Sequence, residues 1–206
     1  MPEVLAKTPL LSPIYEEFNM SPAGDFHNNF VWQLGLYLDR ILTNSEFIPK
    51  VDTFRYLDDW QINAFGDFKK AVQLENFIAG LRRFGASQRF IQSKIDEYTG
   101  VGTIHPGYAP DIFVVEKSER NNEFGVPLVA FEIISKQSRE HDLWFKPFFY
   151  ETIGVQEYFV GEPEIETGTI VRAYRLEGNN YQAITLESKG YFSKALGHFL
   201  PKNWEI

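Results

Sequence analysis

Cysteine is absent from this chain. Disulfides and thiolate-held metals are therefore excluded, and the folded state must be held by packing and polar contacts. Long apolar runs are missing as well. No stretch reaches the roughly 18 apolar residues that a membrane-spanning helix needs. The opening Met1-Pro2-Glu3-Val4 has neither the basic start nor the apolar core of a secretion signal, so a cytoplasmic location is the expectation. Positive charge is scarce: 20 Lys and Arg face 28 Asp and Glu, for a formal net charge of −8. Such a balance disfavours indiscriminate adhesion to nucleic-acid phosphates. Neither a glycine-rich phosphate loop nor a nucleophile-elbow setting around Ser135 or Ser138 occurs.

What is present is apolar bulk. Hydrophobic residues make up 44% of the chain and 19 of them are Phe, enough for a sizeable core in 206 residues. One domain spanning 1–206 is expected. Charge is distributed unevenly. Lys69, Lys70, Arg82, Arg83, Arg89 and Lys94 are opposed between Trp60 and Ile95 only by Asp67 and Glu75, so this segment carries about +4 (six minus two). It reads either as a solvated helix face or as a phosphate-contacting surface on an acidic body.

Periodicity gives the elements. Phe30, Val31, Leu34, Leu38 and Ile41 recur at spacings of three and four, predicting a helix over Asn28–Leu42. Glu46–Leu57 alternates loosely, like a strand. Between Asp58 and Tyr98 the stripe Phe65, Phe68, Val72, Phe77, Ile78 and Leu81 predicts helix. Gly85 would end it and Ser87 would cap a second one. Residues 58–99 thus read as a helical insertion between strands. Asp111–Glu116 and the nearly all-apolar Pro127–Ser135 predict strands, the latter buried on both faces. A helix over Asp142–Ile153, a strand over Gln156–Val160 and a hairpin turning at Glu177-Gly178-Asn179-Asn180 follow. Strands and helices in this order predict a mixed sheet flanked by helices, α/β or α+β in class.

Chemistry concentrates between Ala109 and Tyr158. Asp111 and Glu132 stand at the ends of two apolar strands, where a charged residue needs a reason. Each alone is also read as a strand-end turn residue or a rim acid. Together they are the ligand kit for Mg²⁺, which is typically bound by one or two carboxylates with water completing its shell. Asp142, Lys146 and Tyr150, spaced by four, share one helix face. Lys146 could orient water or offset charge on a phosphate, and Lys136 competes for that role if the strand runs on past Ile134.

These residues carry a resemblance. Pro110-Asp111, Glu132-Ile133-Ile134-Ser135, Asp142…Lys146…Tyr150 and Gly154-Val155-Gln156-Glu157-Tyr158 resemble the pattern of the second-type Uma family of restriction endonucleases. That family belongs to the PD-(D/E)XK nuclease superfamily. Met20-Ser21-Pro22-Ala23-Gly24-Asp25-Phe26-His27 is similar to the family's approach to its first helix, with Glu17 at its usual acidic position. The resemblance implies a restriction-endonuclease-like fold, with Asp111 and Glu132 as metal ligands for Mg²⁺ or Mn²⁺. It also implies a lysine moved from the position of Ile134 to Lys146. Glu17 would be an auxiliary acid, and His27 would either touch the site or only pack. DNA is the implied partner, and a homodimer is the implied assembly. Three departures accompany it. Pro147 puts the helix start near Lys146, the 58–98 segment is unusually helical, and Gly161-Glu162-Pro163 stands at a corner where Asp-Pro is common. The expectation is a Mg²⁺-dependent endonuclease acting on DNA. The alternatives are an inactive nuclease-fold binding module and, more weakly, a hydrolase of another phosphoester.

Overall fold

The computed structural model describes residues 25–51, 68, 70–99, 110–116, 126–164 and 167–205. Helix α1 covers Asp25–Leu42 and buries Phe30, Val31, Leu34, Leu38 and Leu42 along one stripe. It begins three residues before the expected start. Strand β1 is Phe47–Val51; of the expected 46–57 strand, Glu46 forms a bend before it and residues 52–57 lie outside the described residues.

Helices α2 (Leu74–Arg83) and α3 (Gln88–Thr99) form the anticipated hairpin. Gly85 sits at φ 86°, a left-handed conformation that glycine adopts without strain. Ser87 Oγ accepts a hydrogen bond from the Phe90 N–H at 3.2 Å, so it does cap α3. Phe65 and Gly66 lie outside the described residues, whereas Phe68, Val72, Phe77 and Leu81 are all buried.

Strands β2 (Ile112–Glu116) and β3 (Val129–Ile133) come next, each shorter than expected. A π-helical turn over His141–Phe145 then leads directly into α4, Lys146–Ile153. Gly154 closes α4 in the left-handed conformation at φ 93°. Strand β4 is Glu157–Glu164, β5 is Thr167–Glu177 and β6 is Asn180–Ala183. Gly178 and Asn179 make the two-residue turn between the last two. Three short strands unforeseen in the sequence finish the chain: β7 (Gly190–Ser193), β8 (His198–Pro201) and β9 (Asn203–Glu205).

The main sheet runs β1-β2-β3-β4-β5-β6, with β9 added to the free half of β5. Among the described strands only β3 and β4 pair in parallel, because the crossover through α4 returns the chain to the same end of the sheet. The result is the expected α/β arrangement, a mixed sheet with helices on both faces. On one face α1 and the β7–β8 hairpin cover Val129, Phe131, Ile133 and Phe159. On the other, α2, α3 and α4 cover Ala130, Ile134, Tyr158 and Val160. The α2–α3 hairpin therefore supplies much of the second core. Its Phe77 and Leu81 pack in one cluster with Phe145, Phe148 and Phe149. A bulge between Val160 and Gly161 bends β4 at the corner carrying Gly161-Glu162-Pro163. A Cβ on Gly161 would come within 2.6 Å of the Phe30 ring, so this corner admits only glycine without repacking. Among the described residues no helix is long and apolar enough to cross a membrane.

Candidate active site

Strand alternation puts Glu132 on the α4 face, between Phe131 and Ile133, which point to α1. The antiparallel register pairs Ile112 with Phe131, so one step further along sets Asp111 beside Glu132. The two strands part there. The Ile133 N–H, at 2.6 Å, donates to Asp111 Oδ2 instead of to a backbone carbonyl. The expected pair of acids thus meets on one face at adjacent strand ends. Asp111 keeps 25% of its side chain exposed, whereas Glu132 is 1% exposed and forms the floor.

The helical segment after β3 delivers the remaining groups. Ser135 and Ser138 cap it reciprocally, each hydroxyl accepting from the other's N–H at 3.1 and 3.0 Å. That is the local role of the serine in Glu-x-x-Ser, and serine spacing alone could have signalled it. Pro147 lacks an N–H and would crowd the carbonyl four residues back. The chain solves this with the π turn, in which the Lys146 N–H reaches His141 O. Two carbonyls left without helical partners are taken from β4 and β5. Tyr158 Oη donates to Asp142 O at 2.7 Å, and Arg172 Nη1 donates to Leu143 O at 3.2 Å. The helix expected over Asp142–Ile153 is therefore a π turn up to Phe145 and an α-helix from Lys146, and the proline does not divert the lysine.

Lys146 Nζ lies 2.7 Å from Glu132 Oε2 and 3.0 Å from Asp142 Oδ1. Tyr150 Oη donates to the other Glu132 oxygen at 2.7 Å. His27 Nε2 stands 3.5 Å from Asp111 Oδ2. Asp111, Glu132, Asp142, Lys146 and Tyr150 are thus brought together, with His27 at the edge. Lys136 is not: β3 ends at Ile133, and Lys136 is exposed on the following turn. Glu17 and Lys69 lie outside the described residues.

The cluster is electrostatically uneven. Burial pushes Glu132 well above the ordinary carboxylate range, and although Lys146 opposes this, Asp111 and Asp142 add to it. Asp142 is raised by burial against the pull of Lys146. Asp111 is lowered, since His27, Lys146 and the Ile133 N–H outweigh its burial. Lys146 is raised: burial alone would lower it, but Asp142, Glu132 and Asp111 prevail. His27 is raised too, its contact with Asp111 outweighing burial. Three carboxylates face one ammonium, so about two negative charges are uncompensated when all are ionised. The Asp142 carboxylate is buried, with the Lys146 ammonium 3.0 Å away and the Ser138 side chain also acting on it.

This donor set suits a hard divalent cation held sparsely. All candidate ligands are carboxylate oxygens, the local charge is negative, and Asp111 offers an exposed edge. Among the described residues no three His, Asp or Glu side chains form a closed cage for an ion. Mg²⁺ does not require one, since it commonly keeps several waters.

The basic segment divides. Lys70, Arg82 and Arg89 are exposed. Lys94 is not a surface contact: it is 3% exposed, paired with Glu97 and stacked over Phe90 and Phe145 at 5.6 and 5.1 Å. Its helix buries it because Phe90 and Ile91 on the same stripe face the core. Arg83 is committed to Glu151 and Asn180, where it ties α2 to α4 and to the β5–β6 turn. The sequence also gave no role to Glu157, which receives Arg175 Nε at 2.7 Å, the Lys194 N–H at 3.0 Å and the Ser193 hydroxyl.

The family model Uma2, described as "Putative restriction endonuclease", matches residues 55–204. No curated protein matches the chain.

Proposed function

Because the chain belongs to the Uma2 family of restriction endonucleases, we propose that it hydrolyses phosphodiester bonds of DNA with the aid of Mg²⁺. Asp111 and Glu132 would hold the ion, with water and phosphate oxygens completing its shell. When bound, the ion supplies positive charge to the phosphate and acidifies a water molecule. The observation that carries the reading is the meeting of Asp111 and Glu132 on one sheet face with the Lys146 ammonium against Glu132.

In the cation-free cluster the neighbouring carboxylates raise the Lys146 pKa against burial, which favours the protonated, donor form. In the nuclease reading it offsets charge developing on the phosphate oxygens. Tyr150 fixes one Glu132 oxygen and so leaves that carboxylate a single orientation. The Ile133 N–H and His27 both address Oδ2 of Asp111, so Oδ1 would be the oxygen that meets the ion. The exposed Lys70, Arg82 and Arg89 suit contacts to the DNA backbone. Cutting both strands of a duplex takes two such sites, so a two-fold dimer is the expected assembly.

A second reading is favoured by one fact. Both Glu132 oxygens are already occupied, by Tyr150 and Lys146, and the residue is 1% exposed. That arrangement also fits an inactive nuclease fold which only binds nucleic acid or protein. Incubating supercoiled plasmid with the wild type, Asp111→Ala and Glu132→Ala separates the two. Mg²⁺-dependent cleavage by the wild type, lost in both variants, is the expected result. Full activity in either variant overturns the ligand assignment.

A further inference from the structure

We propose that Asp142 is a positioning residue: it holds the Lys146 ammonium in the cluster once a divalent cation has taken Glu132. This role rests on the nuclease reading above. In the cation-free arrangement Lys146 is shared, at 2.7 Å from Glu132 and 3.0 Å from Asp142. A cation held by Glu132 and Asp111 neutralises the nearer of these two partners and repels the ammonium. With Glu132 as its only counter-charge, Lys146 would swing out of the site as the ion entered. Asp142 prevents this because it is a second counter-charge, four residues before the lysine on the same helical segment.

Several features make Asp142 a rigid anchor and a poor ligand. It is 1% exposed, whereas Asp111 keeps 25% of its side chain exposed. Its N–H donates to Ser138 O at 2.9 Å, and its carbonyl receives Tyr158 Oη at 2.7 Å, so its backbone is clamped on both sides. The Ser135–Ser138 cap fixes the segment's start, and the Tyr158 clamp comes from the strand next to the one carrying Glu132. Lys146 and the Ser138 side chain both act on its carboxylate. A buried acid needs a cation, and Lys146 is the cation within reach. The π turn made necessary by Pro147 thus carries a second consequence. It is the element that presents Asp142 one turn before Lys146.

Two measurements test this. Crystals of the wild type soaked with Mn²⁺ should show the ion at Asp111 and Glu132, with Lys146 Nζ still within about 3.2 Å of Asp142. An ammonium displaced from Asp142, or an ion bound directly by Asp142, overturns the role. In solution, Asp142→Asn should lower kcat at saturating Mg²⁺ by about 100-fold and move half-saturation by Mg²⁺ by less than about threefold, with Asp142→Glu restoring much of the rate. Unchanged kcat in Asp142→Asn sinks this inference alone. A large shift in half-saturation with kcat recovered makes Asp142 a ligand instead. A wild type that takes up no Mn²⁺ and cuts no DNA removes the nuclease reading, and this role with it.

Discussion

Glu132 and Glu157 are a matched pair on opposite faces of one sheet. Each is 1% exposed, and they stand on the adjacent strands β3 and β4. Their surroundings differ in kind. Glu157 is ringed by donors: the Arg175 guanidinium, the Lys194 N–H and the Ser193 hydroxyl. Arg175 also reaches Phe192 O at 2.7 Å, so the glutamate staples the β7–β8 hairpin to the sheet. Glu132 shares its single ammonium with Asp142 and is pushed upward in pKa by burial and by two neighbouring acids. A buried carboxylate can thus be satisfied and structural, or crowded and waiting for charge. Crowding of that sort marks functional sites, because the fold gains nothing from it.

The largest effect expected from this contrast is on cleavage. Glu132→Ala should reduce Mg²⁺-dependent plasmid cutting by about a thousandfold or more, whereas Glu157→Ala should leave the rate per folded molecule close to that of the wild type. Loss of cleavage in Glu157→Ala, measured on protein shown to be folded, would erase the distinction. Stability should respond in the opposite sense. Glu157→Ala strands Arg175 and should cost about 3 kcal/mol, which lowers Tm by roughly 10 °C. For Glu132 the sign reverses. Its folded pKa is raised above the unfolded value, so the fold loses stability as pH rises through that pKa and the residue ionises. A neutral Glu132→Gln escapes that loss and should melt at or above the wild-type temperature near pH 8. A lower Tm for Glu132→Gln would mean that its ion pair with Lys146 outweighs the crowding.

Next in size is the response to metal. Ion bound only by the folded state should add about 2.7 kcal/mol at a hundred times its Kd, seen as a rise in Tm. The rise should vanish in Glu132→Ala and persist in Glu157→Ala. A rise that survives in Glu132→Ala would place the ion elsewhere.

The two faces were not equally legible in the sequence. The Glu132 side announces itself through spacing: charged strand ends at Asp111 and Glu132, then Asp142, Lys146 and Tyr150 at intervals of four. The α2–α3 hairpin was legible because Gly85 and Ser87 are local signals that need no tertiary context. The Glu157 staple was hidden, since Arg175, Ser193 and Lys194 meet it only through strand pairing across many residues. Strands β7 to β9 are three or four residues long, too short for alternation to register. Lys94 misled because composition counts charges without seeing that its stem and ammonium sit over two aromatic rings. The π turn was also invisible: Pro147 signalled a helix boundary, and only Tyr158 and Arg172, arriving from other strands, let the segment continue through it.

The smallest effects separate two neighbouring arginines. Arg82 and Arg83 adjoin in sequence and are both exposed, yet among the described residues Arg83 is the one of the two engaged, with Glu151 and Asn180. If the α2–α3 face meets DNA phosphates, Arg82→Ala with Arg89→Ala should reduce the slope of log K against log salt by about 1.8, each lost contact removing about 0.9. Arg83→Ala should leave that slope nearly unchanged. It should instead lower Tm by a few degrees at most, because a pair whose arginine is 39% exposed is worth little once water screens it. Equal slopes for the wild type and both variants would return this helical face to the solvent. The acid cluster would then have to find its substrate without it.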